Sequence, residues 1–172
     1  MKTIALCSLL HHPAHAGCRL FRGEPVLSWT LRRLKRATSL DQTVLLAWDD
    51  QMTDLLFTDA SSHSVGPRRA IPSLQATTAA LNWTDGWRGG LLGTAWFDRG
   101  FVAAFVRDAM IAAEADAVVL VDPSAALVDA AVLDKVVAAA AAGEREFYFT
   151  AAAPGLGGVL LKRPLVDRLA QG

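Results

Sequence analysis

The sequence carries no excess of charge of either sign, since seventeen basic residues balance seventeen acidic ones. No general field exists to hold nucleic acid or an anionic membrane non-specifically, so any phosphate chemistry must come from a local cluster. Cysteine is scarce: Cys7 and Cys18 are the whole supply. They form no C-x-x-C pair and, with the histidines, no zinc-site spacing, and a reducing cytoplasm is the compartment this usage points to. Long hydrophobic runs are missing too. The alanine-rich segment 136–142 is closed off by Lys135 and Glu144, far short of the roughly 18–20 residues that span a bilayer. The N-terminal apolar run carries one positive charge and is soon broken by histidines and a proline, which reads as a strand rather than a signal peptide.

What is present is apolar and periodic. Hydrophobic residues make up 52% of the chain and charged residues 20%, which sets disorder aside. A length of 172 residues suits one domain, expected to hide about 70% of its unfolded surface. Residues 4–10, 43–48, 117–121 and 159–162 are nearly continuous apolar runs, the mark of strands buried on both faces of a parallel sheet. A further strand is expected at 146–150. Helices are expected behind Pro25, where Leu27, Leu31 and Leu34 recur at helical spacing, and at 52–57, 73–81, 101–114, 128–142 and 164–170. Gly143 is expected to stop the fifth of these. Strand and helix alternate, so the fold class is α/β: a mostly parallel, Rossmann-like three-layer sheet. Residues 1–172 form a single domain in this reading, and their end soon after a strand and helix suits the N-terminal part of a longer protein. Segment 60–93, rich in Ser, Pro, Gly and Trp, promises little regular structure beyond the helix at 73–81.

In an open parallel sheet, ligands bind where loops leave the carboxyl ends of the strands, and three such loops carry suitable chemistry. Asp122 emerges just past a buried strand, where a carboxylate is placed either to hold a hard cation such as Mg²⁺ or to begin an Asp-Pro turn. His11, His12 and His15 share the first loop with Arg19 and Arg22, a group able to contact phosphates by hydrogen bonds and fixed charge, or to stand solvated. Asp49 and Asp50 follow the second strand, to touch a ribose hydroxyl or ion, or to cap a helix. Asp129 is expected to cap the helix behind it. Trp87 to Gly93 offers a stacking face and close backbone approach, without the strand-to-helix setting of a dinucleotide fingerprint. Arg32, Arg33 and Arg36 are expected on a solvated helix face.

Gly23-Glu24-Pro25-Val26-Leu27 with the helix behind it resembles the G-K-P-L-L element of the sugar nucleotidyltransferases, the group holding acylneuraminate and Kdo cytidylyltransferases and spore-coat polysaccharide proteins. Leu46-Ala47-Trp48-Asp49-Asp50 resembles that group's second strand ending in S-D-D. Residues 115–123 resemble the segment bearing its metal-binding aspartate, here Asp122, and 154–159 resemble a late P-x-G-L-D-V stretch. The likeness covers most of the chain outside its middle third. It implies a domain of the nucleotide-diphospho-sugar transferase type, with Mg²⁺ as cofactor and a nucleotide and sugar-like molecule as ligands. The reaction implied is transfer of a nucleotidyl group from CTP to a sugar, with release of pyrophosphate. This chain departs from the pattern at three places: its first loop has histidines and no lysine, Glu24 stands at a common lysine position, and Gly157 or Gly158 stands near the late aspartate. The alternative expectation is therefore an inactive nucleotide- or partner-binding module on the same fold, working with a partner domain or a second copy. A glycosyltransferase of related fold would need a D-x-D motif, which Asp49-Asp50 is not.

Overall fold

The computed structural model describes residues 1–10, 20–55, 58–71, 101–152 and 155–171. Strand β1, Thr3–Ser8, is buried along its whole length. The chain next makes a short hairpin, β2 (Leu20–Phe21) and β3 (Glu24–Pro25), which runs directly into helix α1, Val26–Leu34. Leu27, Leu31 and Leu34 form the buried stripe of α1, and Arg32 and Arg33 lie in its last turn, where they complement the helix dipole. Strand β4, Gln42–Ala47, follows, then two 3₁₀ turns and strand β5, Ser61–Ser64.

The second half supplies α2 (Ala103–Ala112), β6 (Ala117–Leu120), α3 (Ala130–Ala142), β7 (Phe147–Tyr148), β8 (Val159–Lys162) and α4 (Arg163–Leu169). Asp129 caps α3, its carboxylate accepting from the amides of Ala131 and Val132. Pro164 sits in the first turn of α4, where a missing amide hydrogen costs nothing.

The main sheet has six strands in the order β5-β4-β1-β6-β8-β7. Strands β5, β4, β1 and β6 are parallel, while β8 runs antiparallel to both β6 and β7. Alternate residues of β1, and Leu9 directly after it, serve opposite layers. Ala5, Cys7 and Leu9 pack with Leu27, Leu31 and Leu34 of α1 and Leu133, Val136 and Val137 of α3. Ile4 and Leu6 pack with Val106 and Met110 of α2 and Val166 of α4. The result is the expected three-layer α/β/α arrangement. Among the described residues no helix is long and apolar enough to cross a membrane.

Two expectations need correction. The 52–57 helix is replaced by 3₁₀ turns at Asp49–Gln51 and Thr53–Leu55. The amides of Met52, Leu55 and Thr58 bond carbonyls three residues back, so the chain descends in steps of three instead of closing α-helical rings. Strand β5 lies within the stretch expected to be irregular; its sequence Ser-Ser-His-Ser has no apolar run, and backbone pairing with β4 creates it. Gly143 closes α3 as expected, with φ of −106°. Its lack of a Cβ matters because that atom would fall on the Tyr148 hydroxyl. The helix expected at 73–81 lies outside the described residues.

Candidate functional site at the carboxyl edge of the sheet

From β1 the chain builds outward through β4 to β5, then returns to add β6 on the other side of β1. That reversal makes the crevice beyond the carboxyl ends of β1 and β6 the topological switch point, the position where open α/β sheets bind ligands. Asp122 stands there, two residues past the end of β6. The register Leu6↔Leu120, carried two residues onward, sets Ser8 opposite Asp122. The Val121 amide still bonds the Leu6 carbonyl at 3.0 Å, so the strand alignment reaches the edge of the site.

Asp122 is half-buried. Its Oδ1 accepts from the Ser124 amide at 2.7 Å and the Ser124 hydroxyl at 2.6 Å, and its carbonyl accepts from the Ala125 amide at 2.9 Å. The Asp-Pro segment is thus a turn closed on its own aspartate, as the turn reading of Asp122 expected. One carboxylate at a strand end, with Ser124 Oγ against it, suits Mg²⁺, which binds through one or two carboxylates and takes its other ligands from water and phosphates. No group of three or more His, Cys, Asp or Glu side chains able to enclose a metal occurs among the described residues.

The exits of β1 and β4 are tied together by buried polar groups. Gln51, 1% exposed, accepts from the Trp48 amide and donates to the Leu9 carbonyl, both at 3.0 Å. The Trp48 indole donates to the Leu10 carbonyl at 3.0 Å and meets Phe105 of α2 edge-on, with ring centroids 6.2 Å apart. Over this aromatic pair lie two guanidinium groups, Arg68 at 6.0 Å from the Trp48 centroid and Arg69 at 5.7 Å from that of Phe105. Ser8 Oγ is buried at the end of β1 and finds no hydrogen-bond partner among the described residues.

Asp49 bonds the Ser64 hydroxyl, and Asp50 takes Arg68 Nε at 2.8 Å. Both lie inside the 3₁₀ turn, whose N-cap is Trp48, so neither is the helix cap the sequence suggested; they anchor the chain leaving β5. Arg22 is exposed at the tip of the β2–β3 hairpin, with φ of 53° beside Gly23 at 81°, two left-handed residues that make a type I′ turn. Of the three arginines assigned to a solvated face, Arg32 is exposed as expected, and there it pairs with Glu24 and lies 4.4 Å from the Trp29 ring centroid. His11, His12, His15 and Arg19 lie outside the described residues, as does 87–93. Gln51, Thr30, Arg68 and Arg69 were not singled out from sequence; the adjacent basic pair at 68–69 was the available signal, whereas a lone Gln offers none.

No protein-family model matches the sequence, and no curated protein matches it by sequence. Solved structures do match in fold. A cytidylyltransferase from Leptospira borgpetersenii superposes with a TM-score of 0.62 at 16% identity, covering 99% of this chain and 63% of its own. The protein Rv0371c from Mycobacterium tuberculosis, in complex with manganese, gives 0.62 at 18% identity, covering 100% and 76%. CMP:2-keto-3-deoxy-manno-octonic acid synthetase, complexed with CTP, gives 0.63 at 9% identity, covering 99% and 78%. This chain therefore has the cytidylyltransferase fold, and it spans less than two thirds of the length of the Leptospira protein.

Proposed function

We propose that this chain is a divalent-metal-dependent nucleotidyltransferase domain. In this reading it moves a nucleotidyl group from a nucleoside triphosphate, CTP by resemblance, to a hydroxyl of a sugar-like acceptor. The observation that carries the proposal is the place of Asp122, a carboxylate at the switch point of a fold shared with proteins solved with CTP and with manganese.

Such a transfer forms a bond from the acceptor oxygen to the α-phosphorus and breaks the bond to pyrophosphate, so charge must be neutralised on the phosphate oxygens. Asp122 holds the metal, Mg²⁺ in this reading, which when bound supplies that neutralisation. Arg22 and Arg19, with His11, His12 and His15, contact the phosphates. Asp122→Ala should abolish metal-dependent pyrophosphate release from CTP and a sugar acceptor; an unchanged rate would sink the assignment.

One observation favours a second reading, a nucleotide-binding module without catalysis. Glycines occupy 157 and 158, near where the resembled group carries its late aspartate. A thermal-shift series with nucleoside triphosphates, with and without Mg²⁺, separates the two, because a ligand of the native state raises its stability by mass action. Stabilisation without any pyrophosphate release across sugar acceptors favours the module.

A further inference from the structure

We propose that Thr30 is a positioning residue for Asp122, acting through the Pro123 carbonyl. The inference rests on the reading of Asp122 as the metal ligand and extends it to the helix packed beneath. Thr30 lies on α1 and is fully buried. Its hydroxyl donates to the Pro123 carbonyl at 2.9 Å, across 93 residues of sequence, while the carbonyl of its own helix, at Val26, is 3.4 Å away. A helical threonine ordinarily turns its hydroxyl back to the carbonyl four residues earlier. Here the shorter bond leaves the helix and reaches the residue next to Asp122.

Pro123 has no amide hydrogen, so its carbonyl is the one backbone hydrogen-bonding group it offers. The bonds from Ser124 and Ala125 to Asp122 fold the segment on itself, and the Val121 amide ties its start to the Leu6 carbonyl of the sheet, so the aim of the turn toward the helix layer is what remains to be set. Thr30 supplies that aim. Beyond its C-terminal end, the chain leaving α1 is tied to α3, the helix that follows the turn, because Thr38 and Ser39 bond the Asp134 carboxylate through amides and hydroxyls. At its start α1 continues directly from the hairpin that carries Arg22. One helix thereby places both Arg22 and Asp122 in a common frame.

The test uses Thr30→Val, which keeps the shape and removes the hydroxyl, and Thr30→Ser, which keeps the hydroxyl. Mn²⁺ affinity is measured by calorimetry with the metal alone, and the Ser124 amide proton, bonded to Asp122 Oδ1 at 2.7 Å, is followed by NMR without ligand. Thr30→Val is expected to weaken Mn²⁺ binding about tenfold, the usual effect of losing a group that orients a metal ligand, and to shift the Ser124 amide, with both restored in Thr30→Ser. A Thr30→Val protein that is less stable but keeps the wild-type Mn²⁺ affinity and Ser124 resonance overturns the proposal. If Thr30→Val does not fold, Thr30→Ala carries the same comparison. Should Asp122→Ala bind Mn²⁺ as well as the wild type, the metal reading fails, and the ligand-free Ser124 resonance still decides whether Thr30 sets the turn.

Discussion

Gly158 approaches the Leu120 carbonyl so closely that a Cβ on it would stand 2.8 Å from that oxygen and 2.7 Å from Val119 Cγ1. Strand β8 can therefore enter beside β6 only with glycine at 158. Gly158→Ala is expected to cost about 1–3 kcal/mol, the usual range for overpacking a filled core, measured by urea unfolding. Gly157 differs, because its Cβ would meet the Thr150 side chain at 2.7 Å, and a side chain turns away more readily than backbone. Gly157→Asp should accordingly be tolerated better than Gly158→Asp, so a second carboxylate near Asp122 can be introduced at 157 and not at 158. Equal loss of stability in the two variants would contradict this.

Gln51 satisfies two buried backbone groups at once, the Leu9 carbonyl and the Trp48 amide. Gln51→Leu leaves both unpaired and should destabilise the fold by about 3 kcal/mol, at the upper end for orphaned buried polar groups. Gln51→Glu keeps the acceptor for Trp48 and loses the donor to Leu9, so it should recover part of that loss as the pH is lowered and the new carboxyl protonates. Denaturation curves at two pH values distinguish the pair; equal stability of Gln51→Glu at both would refute the donor role.

The sheet was legible wherever burial on both faces forced a continuous apolar run, as in β1, β4, β6 and β8. It was illegible where pairing came from backbone alone: Ser61–Ser64 adds to β4 with side chains that are exposed or half-exposed, and no periodicity records that. Residue 122 stood out because an aspartate directly follows four buried apolar residues, Val118 to Val121. The groups that tie the edges of the site together were not visible, since Thr30 meets Pro123 across 93 positions and Gln51 meets Leu9 across 42. Local patterns carry no trace of such contacts.

Asp134 binds the 38–39 segment to α3 by four hydrogen bonds. Burial pushes its carboxyl pKa up, but the bonds from Ser39 and Thr38 outweigh this and hold it below the ordinary 3.8. A carboxyl held low in the native state adds stability above its unfolded pKa and loses it as the pH falls through the folded value. Asp134→Asn is expected to cost about 1 kcal/mol near neutrality, a modest figure because the group is only partly buried. The gap between variant and wild type should close below about pH 4, and a gap independent of pH would refute the charge's part in it.

Cys7 lies fully buried in β1, and burial pushes its thiol up to about 12. At about pH 8 its thiolate fraction is then on the order of one in ten thousand, so it should not react with disulfide reagents until the protein unfolds. A native-state thiol titration that modifies Cys7, located by peptide mass, would contradict its place in the core.

Arg22 holds a left-handed backbone conformation, φ 53°, in a two-residue turn with Gly23. For a residue with a Cβ that conformation costs roughly 1 kcal/mol, whereas asparagine adopts it readily, and Asn-Gly is the preferred pair for a type I′ turn. Under the proposed role of Arg22 in phosphate contact, such strain is retained because the side chain is needed. Arg22→Asn should therefore raise stability by about 0.5–1 kcal/mol and weaken nucleoside triphosphate binding several-fold, by removing a charge-assisted phosphate contact. Arg22→Lys keeps the charge and the strain, so it should sit near the wild type in stability and between the two in affinity. A more stable Arg22→Asn protein that binds CTP as tightly as the wild type would reduce Arg22 to a turn residue and leave phosphate binding to the remaining basic groups.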